Sequence, residues 1–270
     1  MTGTPEYELI AIDVDGTLLN SDFELSPGAL DSIQAVREKG IRVSLVTGRG
    51  MVALAPIQQA LQLEDQPYIA FGGACIVDPS CGDVIYHRPL VHKDAEMLVA
   101  IARQEGVGVV FDWQDQVMCE SEAGLYTLLR ETIGTEVARS FDILAEKKTV
   151  PTKATLFGDP DQLKKAELTL QQKTQSLHMT YAGSIFLEVT RAGVDKGNAL
   201  RRLAANLQIA LERTVAIGNE RNDKSMLEIA GLSVAVGSAS PELKAVADVI
   251  APTNDDGGVA WALLEIVLKE

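Results

Sequence analysis

The sequence predicts an α/β protein with a doubly wound parallel-sheet core, interrupted by an inserted α+β domain. Three observations lead there. Short apolar runs ending in acidic residues or glycine lie near both ends of the chain, as in Leu9 to Val14 (LIAIDV) and Thr214 to Ile217. Such runs fit strands buried on both faces, the signature of parallel sheets. Helical periodicity falls between them, so strand, helix and strand alternate with short links. The middle of the chain breaks this rhythm with strands in hairpin-like pairs, such as those flanking Gly183-Ser184, the pattern of a mainly antiparallel sheet backed by helices.

In chain order, Leu9 to Val14 is the first strand. Ser26-Pro27 reads as an N-cap followed by proline at the first helical position, with Leu30, Ile33 and Val36 on one face and Gly40 as the stop. Ile41 to Val46 is the second strand and completes a βαβ unit. Strand patterns follow at Val84 to Tyr86, Val107 to Trp113, Val117 to Glu120, Ala154 to Phe157, Met179 to Ala182 and Ile185 to Val189. Helical patterns follow at Asp94 to Gln104, Ala123 to Ile133 and Asp161 to Lys173. Residues 83–190 are too many for a loop but a normal number for a domain. The expected division is therefore a discontinuous core, 1–82 and 191–270, with residues 83–190 inserted. The first rhythm then returns: a helix from near Asp195 carrying Leu200, Leu203, Ala204 and Leu207, the strand Thr214 to Ile217, and a helix from near Asn222 marked by Met226, Leu227 and Ala230. The strand Ser233 to Val236, a turn at Ala245 to Val249 and a last helix around Val259 to Leu268 close the chain.

Composition narrows the function. The 270 residues are 46% hydrophobic and 23% charged, as in a globular protein, with a net charge of −14. That acidic excess, with no dense Lys/Arg run, argues against nucleic acid as a partner. Cys75, Cys81 and Cys119 are too few and odd in number for a disulfide framework. The amino terminus lacks the basic start of a secretory signal, and no stretch approaches ~18 uninterrupted apolar residues. The expectation is a cytoplasmic protein with no membrane partner.

Four segments carry chemistry. Asp13-Val14-Asp15-Gly16-Thr17 ends the first strand, at the edge where open α/β sheets bind ligands. Asp13, Asp15, Thr17 and Glu24 have EF-hand-like spacing, but Gly16 comes two places early and an apolar strand replaces the incoming helix. Thr47-Gly48-Arg49 ends the second strand and offers a hydroxyl and a backbone N–H to a phosphate oxygen. Asp195-Lys196-Gly197 opens a helix, and Gly218-Asn219-Glu220-Arg221-Asn222-Asp223 follows the strand TVAI. Taken singly these are an acidic turn, a strand-to-helix turn, a surface lysine and a helix cap. Together their oxygens suit a hard cation such as Mg²⁺. No GxGxxG, GxxxxGK[ST] or GxSxG pattern is present, so a dinucleotide enzyme, a P-loop NTPase and a serine hydrolase lack support. His87, His92 and His178 have no ligand spacing, Trp113 and Trp261 read as core or interface, and Arg130, Lys147 and Lys148 read as exposed charges.

In this order the four motifs, DVDGTLL, VTGR, DKG and GNERND, with a long insertion between the second and third, resemble the haloacid dehalogenase (HAD) superfamily phosphatases of the Cof-type branch with a large α/β (C2-type) cap. The resemblance covers essentially the whole chain. It implies a Rossmann-like core, an inserted cap that selects substrate, and a Mg²⁺-dependent hydrolysis of a small phosphomonoester, a sugar phosphate or nucleotide-like metabolite. By the resemblance Asp13 is the nucleophile that forms an aspartyl phosphate, and Asp15 protonates the leaving oxygen and then activates water. Lys196 screens charge, and Thr47, Gly48, Arg49 and Asn222 bind the phosphoryl group. Asp13, the Asp15 carbonyl and Asn219 hold Mg²⁺, with Asp223 at the same metal site. Two positions depart from the pattern. Asn219 stands where Asp is usual, so weaker Mg²⁺ binding is expected, and Phe71-Gly72-Gly73-Ala74 stands where Asn-Gly-Ala is frequent. A phosphotransferase or phosphomutase using the same intermediate, and a non-catalytic phosphate-binding regulator, are the alternatives.

Overall fold

The computed structural model describes residues 5–80, 83–114, 116–122, 124–127, 137–140, 142–146 and 149–269. Cys81, Arg130, Lys147 and Lys148 lie outside them, as does most of the helix expected over 123–133, of which residues 124–127 are helical. The chain divides into two compact units: Met1–Arg49, Ala53–Tyr86 and Asp195–Glu270 form one, Gly50–Val52 and His87–Val194 the other.

The first unit is built on a sheet that includes β1 (Leu9–Asp13), β2 (Arg42–Val46), β3 (Tyr68–Ala70), β4 (Cys75–Asp78) and β5 (Asp83–His87). It continues with β12 (Thr214–Gly218), β13 (Leu232–Ala235) and β14 (Val249–Ile250) in the order β14-β13-β12-β1-β2-β3-β4-β5. From β14 to β3 all pairs are parallel, and β4 runs antiparallel to β3. From β1 the chain winds outward through β2 and β3, then returns to the other side of β1 through β12, β13 and β14. This is the doubly wound arrangement, with its reversal between β1 and β12. Leu9 to Ile12 and Val215 to Ile217 are fully buried, as two-sided burial in a parallel sheet requires.

Several local features differ from the sequence pattern. The first helix is Ala29–Glu38, not a helix capped by Ser26, because the chain turns left-handed at Gly28 and the buried Ser26 hydroxyl donates instead to the Leu18 carbonyl at 2.8 Å. The helix Met51–Ala60 and strands β3 and β4 have no counterpart in the sequence reading. Pro56 inside that helix interrupts its pattern. The last turn-rich segment is capped by Glu220, not Asn222: Glu220 and Asp223 exchange side-chain-to-backbone bonds across a short 3₁₀ turn.

The second unit holds β6 (Gly108–Asp112), β7 (Val117–Glu120), β8 (Ala138–Ser140), β9 (Lys153–Phe157), β10 (Leu177–Ala182) and β11 (Phe186–Arg191), ordered β10-β11-β9-β6-β7-β8. Every pair is antiparallel except β7 with β8. Helices His92–Glu105 and Pro160–Lys173 pack on one face, burying Leu98, Phe111, Leu156, Leu163, Leu170 and Val189 in one cluster. By alternation the opposite face carries Val110, Cys119 and Phe157 beside the polar Asp112, Lys153 and Glu188. Among the described residues no helix is long and apolar enough to cross a membrane.

Candidate active site

The reversal of winding between β1 and β12 leaves a crevice beyond their carboxyl ends, the place where open α/β sheets accept ligands. Asp13 is the last residue of β1 and Asn219 directly follows β12. On the other side of β1, Asp13 is in register with Val46, so Thr47 follows one residue beyond that level. Three of the four sequence motifs thus reach one rim by strand register alone.

Lys196 brings in the fourth. It begins the helix Lys196–Asn206, whose N-cap Asp195 accepts from the Asn198 backbone N–H at 2.7 Å. The Lys196 side chain is 2% exposed, and its Nζ donates to Asp13 Oδ1 at 2.6 Å and to Asp223 Oδ1 at 2.5 Å. Burial opposes the ammonium, but attraction to Asp13 and then Asp223, with hydrogen bonds to both, outweighs it and raises the Lys196 pKa above its usual range. Lys196 is therefore a fixed cation. Asp13 is pushed up to about 7, first by burial and then by the charge of Asp223, with Lys196 pulling the other way. Two buried carboxylates share one ammonium, so the cluster lacks a positive charge.

Asp223 is fully buried, and its second oxygen accepts from the backbone N–H groups of Asn219 and Glu220, both at 3.0 Å. With Oδ1 on Lys196, this carboxylate is engaged at both oxygens. Its work is to fix Lys196 and the turn that carries Asn219, a supporting position behind the metal-ligand role expected of it. Asn222, expected on phosphate, is exposed on the same turn and outside the buried cluster.

Asp15 points elsewhere. The chain leaves β1 through a widened turn, Val14–Leu18, in which Asp15 is extended and Gly16 left-handed at φ 74°. A side chain at Gly16 would be strained and would also collide with the Asn219 amide. Asp15 takes a two-pronged contact from Arg49: Nη2 to Oδ1 at 2.6 Å and Nε to Oδ2 at 2.9 Å. Arg49, expected on the phosphate, is thus turned to Asp15. Thr47 is fully buried, and its Oγ1 accepts from the Arg49 N–H at 3.0 Å, leaving the hydroxyl proton for another acceptor.

The Phe71-Gly72-Gly73 loop, singled out in the sequence only as a departure from the family pattern, is a bracing element. Phe71 N–H donates to the Arg49 carbonyl and Gly72 N–H to the Thr47 carbonyl, both at 2.9 Å. Gly73, at φ 108°, lies so close to the Asp195 carbonyl that no Cβ fits. One loop therefore holds the second motif and the start of the third. Its three-residue run of unusual backbone, Phe71 included at φ 54°, is a property of the tertiary contacts. The available sequence signal was the paired glycines.

The rim offers donors for a divalent cation. The Asp13 carboxylate, the Asp15 backbone carbonyl and the Asn219 side-chain oxygen are all hard oxygen donors at this rim, beside a carboxylate pair short of positive charge. That chemistry fits Mg²⁺. Among the described residues no three His, Cys, Asp or Glu side chains form a metal cage, as follows when one donor is an asparagine and another a backbone carbonyl.

Comparison with known proteins identifies the family. The family profile described as haloacid dehalogenase-like hydrolase matches residues 10–263. The chain is 30% identical over 275 residues to the 5-amino-6-(5-phospho-D-ribitylamino)uracil phosphatase YitU of Bacillus subtilis, covering 95% of this chain and 96% of that one. It is 28% identical to the pyridoxal phosphate phosphatase YbhA of Escherichia coli, covering 93% and 96%. A haloacid dehalogenase-like hydrolase from Bacteroides thetaiotaomicron superposes with a TM-score of 0.89 at 28% identity, over 96% of this chain and 99% of that one.

Proposed function

Since the chain belongs to the haloacid dehalogenase-like hydrolases, in the Cof-type branch of their phosphatases, and is a phosphoric monoester hydrolase, we propose that it is Mg²⁺-dependent and acts on a small phosphomonoester through an aspartyl phosphate on Asp13. The observation that carries this reading is the Asp13–Lys196–Asp223 cluster at the reversal of the sheet. A structural ion pair needs one carboxylate. Here the cation is shared between the end of a strand and a supporting turn, and Asp13 keeps a second oxygen for attack.

In the proposed reaction an Asp13 carboxylate oxygen bonds to phosphorus as the bond to the leaving alcohol breaks, and Asp15 gives its proton to that alcohol oxygen. Asp15 then takes a proton from the water that attacks phosphorus and frees Asp13. Lys196, held charged, offsets the nucleophile and the phosphoryl oxygens, while the Thr47 hydroxyl, the Gly48 N–H and Asn222 donate to them. Asp13, the Asp15 carbonyl and Asn219 are the groups that would hold Mg²⁺, with Asp223 behind them; when bound it supplies positive charge to the phosphoryl oxygens. The second unit, mainly His87–Val194 rather than the 83–190 expected from the sequence, acts as the cap that selects the alcohol portion. Relatives named for a ribitylamino-uracil phosphate and for pyridoxal phosphate support a metabolite-sized substrate, a sugar phosphate or nucleotide-like compound.

The test is phosphate release from an aryl phosphate with Mg²⁺ and with chelator, for the parent and Asp13→Asn. Mg²⁺-dependent turnover that Asp13→Asn abolishes supports the reading. Turnover surviving that substitution breaks the mechanism, and transfer of the trapped phosphoryl group to sugar phosphates faster than to water turns it into a phosphotransferase.

A further inference from the structure

We propose that Arg49 is a positioning residue for Asp15 and not a ligand of the phosphoryl group; the inference rests on the role given to Asp15 above. The geometry is specific. Both prongs of the guanidinium meet the carboxylate, with Nη2 at 2.6 Å from Oδ1 and Nε at 2.9 Å from Oδ2, and Nε also lies 3.1 Å from Oδ1. A fork-to-carboxylate contact fixes the plane of the carboxylate as well as its distance, which a lysine cannot do.

The Arg49 backbone is anchored on both sides. Its N–H donates to Thr47 Oγ1 at 3.0 Å and its carbonyl accepts from Phe71 N–H at 2.9 Å. The fork therefore hangs from a rigid point, whereas Asp15 sits in a turn with an extended residue and a left-handed glycine.

Charge pairing leads to the same assignment. The rim holds three carboxylates, Asp13, Asp15 and Asp223, and Lys196 is committed to the first and third. Asp15 is repelled by Asp13, so without Arg49 it has reason to turn to solvent. The pair is also half exposed, with side-chain exposures of 29% for Arg49 and 45% for Asp15. Exposed ion pairs contribute little to folding. What the contact supplies is orientation of the Asp15 carboxylate that gives and takes back the proton.

The test is a double-mutant cycle on the full chain with Mg²⁺: parent, Arg49→Met, Asp15→Asn and the double variant, with Arg49→Lys as a milder replacement. The first-turnover rate of alcohol release is measured with an alkyl phosphate, whose alkoxide must be protonated, and with 2,4-dinitrophenyl phosphate, whose phenolate leaves unprotonated. Orthophosphate affinity is measured by calorimetry. We expect Arg49→Met to slow alkyl phosphate roughly tenfold or more, with the roughly 10²–10⁴-fold worth of the general acid itself as the ceiling, and Arg49→Lys to restore little. The dinitrophenyl ester should slow less than about threefold, Arg49→Met should cost nothing further once Asp15 is Asn, and orthophosphate affinity should stay within about threefold. Losses that multiply with those of Asp15→Asn, together with weaker orthophosphate binding, overturn the proposal in favour of a phosphate ligand. Equal losses on both esters with a lowered melting temperature overturn it in favour of a structural ion pair. A parent with no Mg²⁺-dependent turnover on either ester refutes the phosphatase reading itself, and the proposal with it.

Discussion

Each unit of the chain contains a nearly buried lysine facing two carboxylates. Lys196 meets Asp13 and Asp223 at 2.6 and 2.5 Å, and Lys153, 7% exposed, donates to Glu188 at 2.8 Å with Asp112 directly opposite it on the neighbouring strand. Composition does not separate the two clusters. Their origin in the fold does. Lys153, Glu188 and Asp112 come from three adjacent antiparallel strands, where alternation puts opposite charges on one face as ordinary cross-strand neighbours. Lys196, Asp13 and Asp223 come from a helix start, a strand end and a turn, far apart in sequence, and they converge only because parallel strands end at one edge. The first arrangement completes a sheet face, and the second concentrates charge where the backbone stops and a ligand can enter.

That contrast can be broken in order of effect. Asp13→Asn should abolish turnover, by about 10³-fold or more, as losses of covalent nucleophiles do, measured as phosphate release with Mg²⁺. Next, Lys196→Met leaves two buried carboxylates without a cation and should cost roughly 3–5 kcal/mol. Lys153→Met should cost less, about 1–3 kcal/mol, because Glu188 is 25% exposed and burial already favours the neutral form of Asp112. Urea denaturation of both variants makes the comparison, and equal losses would show that the two clusters do the same work.

Asn219→Asp adds a fourth carboxylate to the rim and should tighten Mg²⁺ on the order of tenfold by calorimetry; unchanged affinity would mean that the asparagine is no handicap. The smallest effect is expected at Asp112, whose carboxyl is raised from 3.8 chiefly by burial, with Lys153 opposing. Its charged form is disfavoured in the fold, so the penalty is absent below the unfolded pKa and complete above the folded one. Asp112→Asn should match the parent at the acid end and gain slightly as pH rises to neutral, read from urea midpoints at the two pH values.

Much of this was legible in the residues. Leu9 to Ile12 and Val215 to Ile217 are apolar throughout, as a short strand buried on both faces requires, and the acid or glycine that follows each marks where chemistry can sit. The hairpin rhythm of the middle segment reads as antiparallel for the same reason of period. The helix Met51–Ala60 was hidden by Pro56, and β3, β4 and β8, at three or four residues, are too short to show a period. Ser26 has an N-cap's chemistry but spends its hydroxyl on Leu18. Arg49 lies in a motif that suggests a phosphate ligand, and no pattern in the sequence says that its fork faces Asp15.

The sequence by itself determined which side chains are available and on which element each sits, because propensity, apolar period and turn chemistry act over a few residues. The partners were decided by the tertiary structure. Strand order placed Asp13 beside β12, the left-handed Gly16 made room for Asn219, the Phe71–Gly73 loop tied Thr47 and Arg49 to the start of the Lys196 helix, and burial gave one ammonium two carboxylates. Such pairings depend on distances between residues as far apart in the chain as Gly16 and Asn219, and packing of the whole core sets those distances.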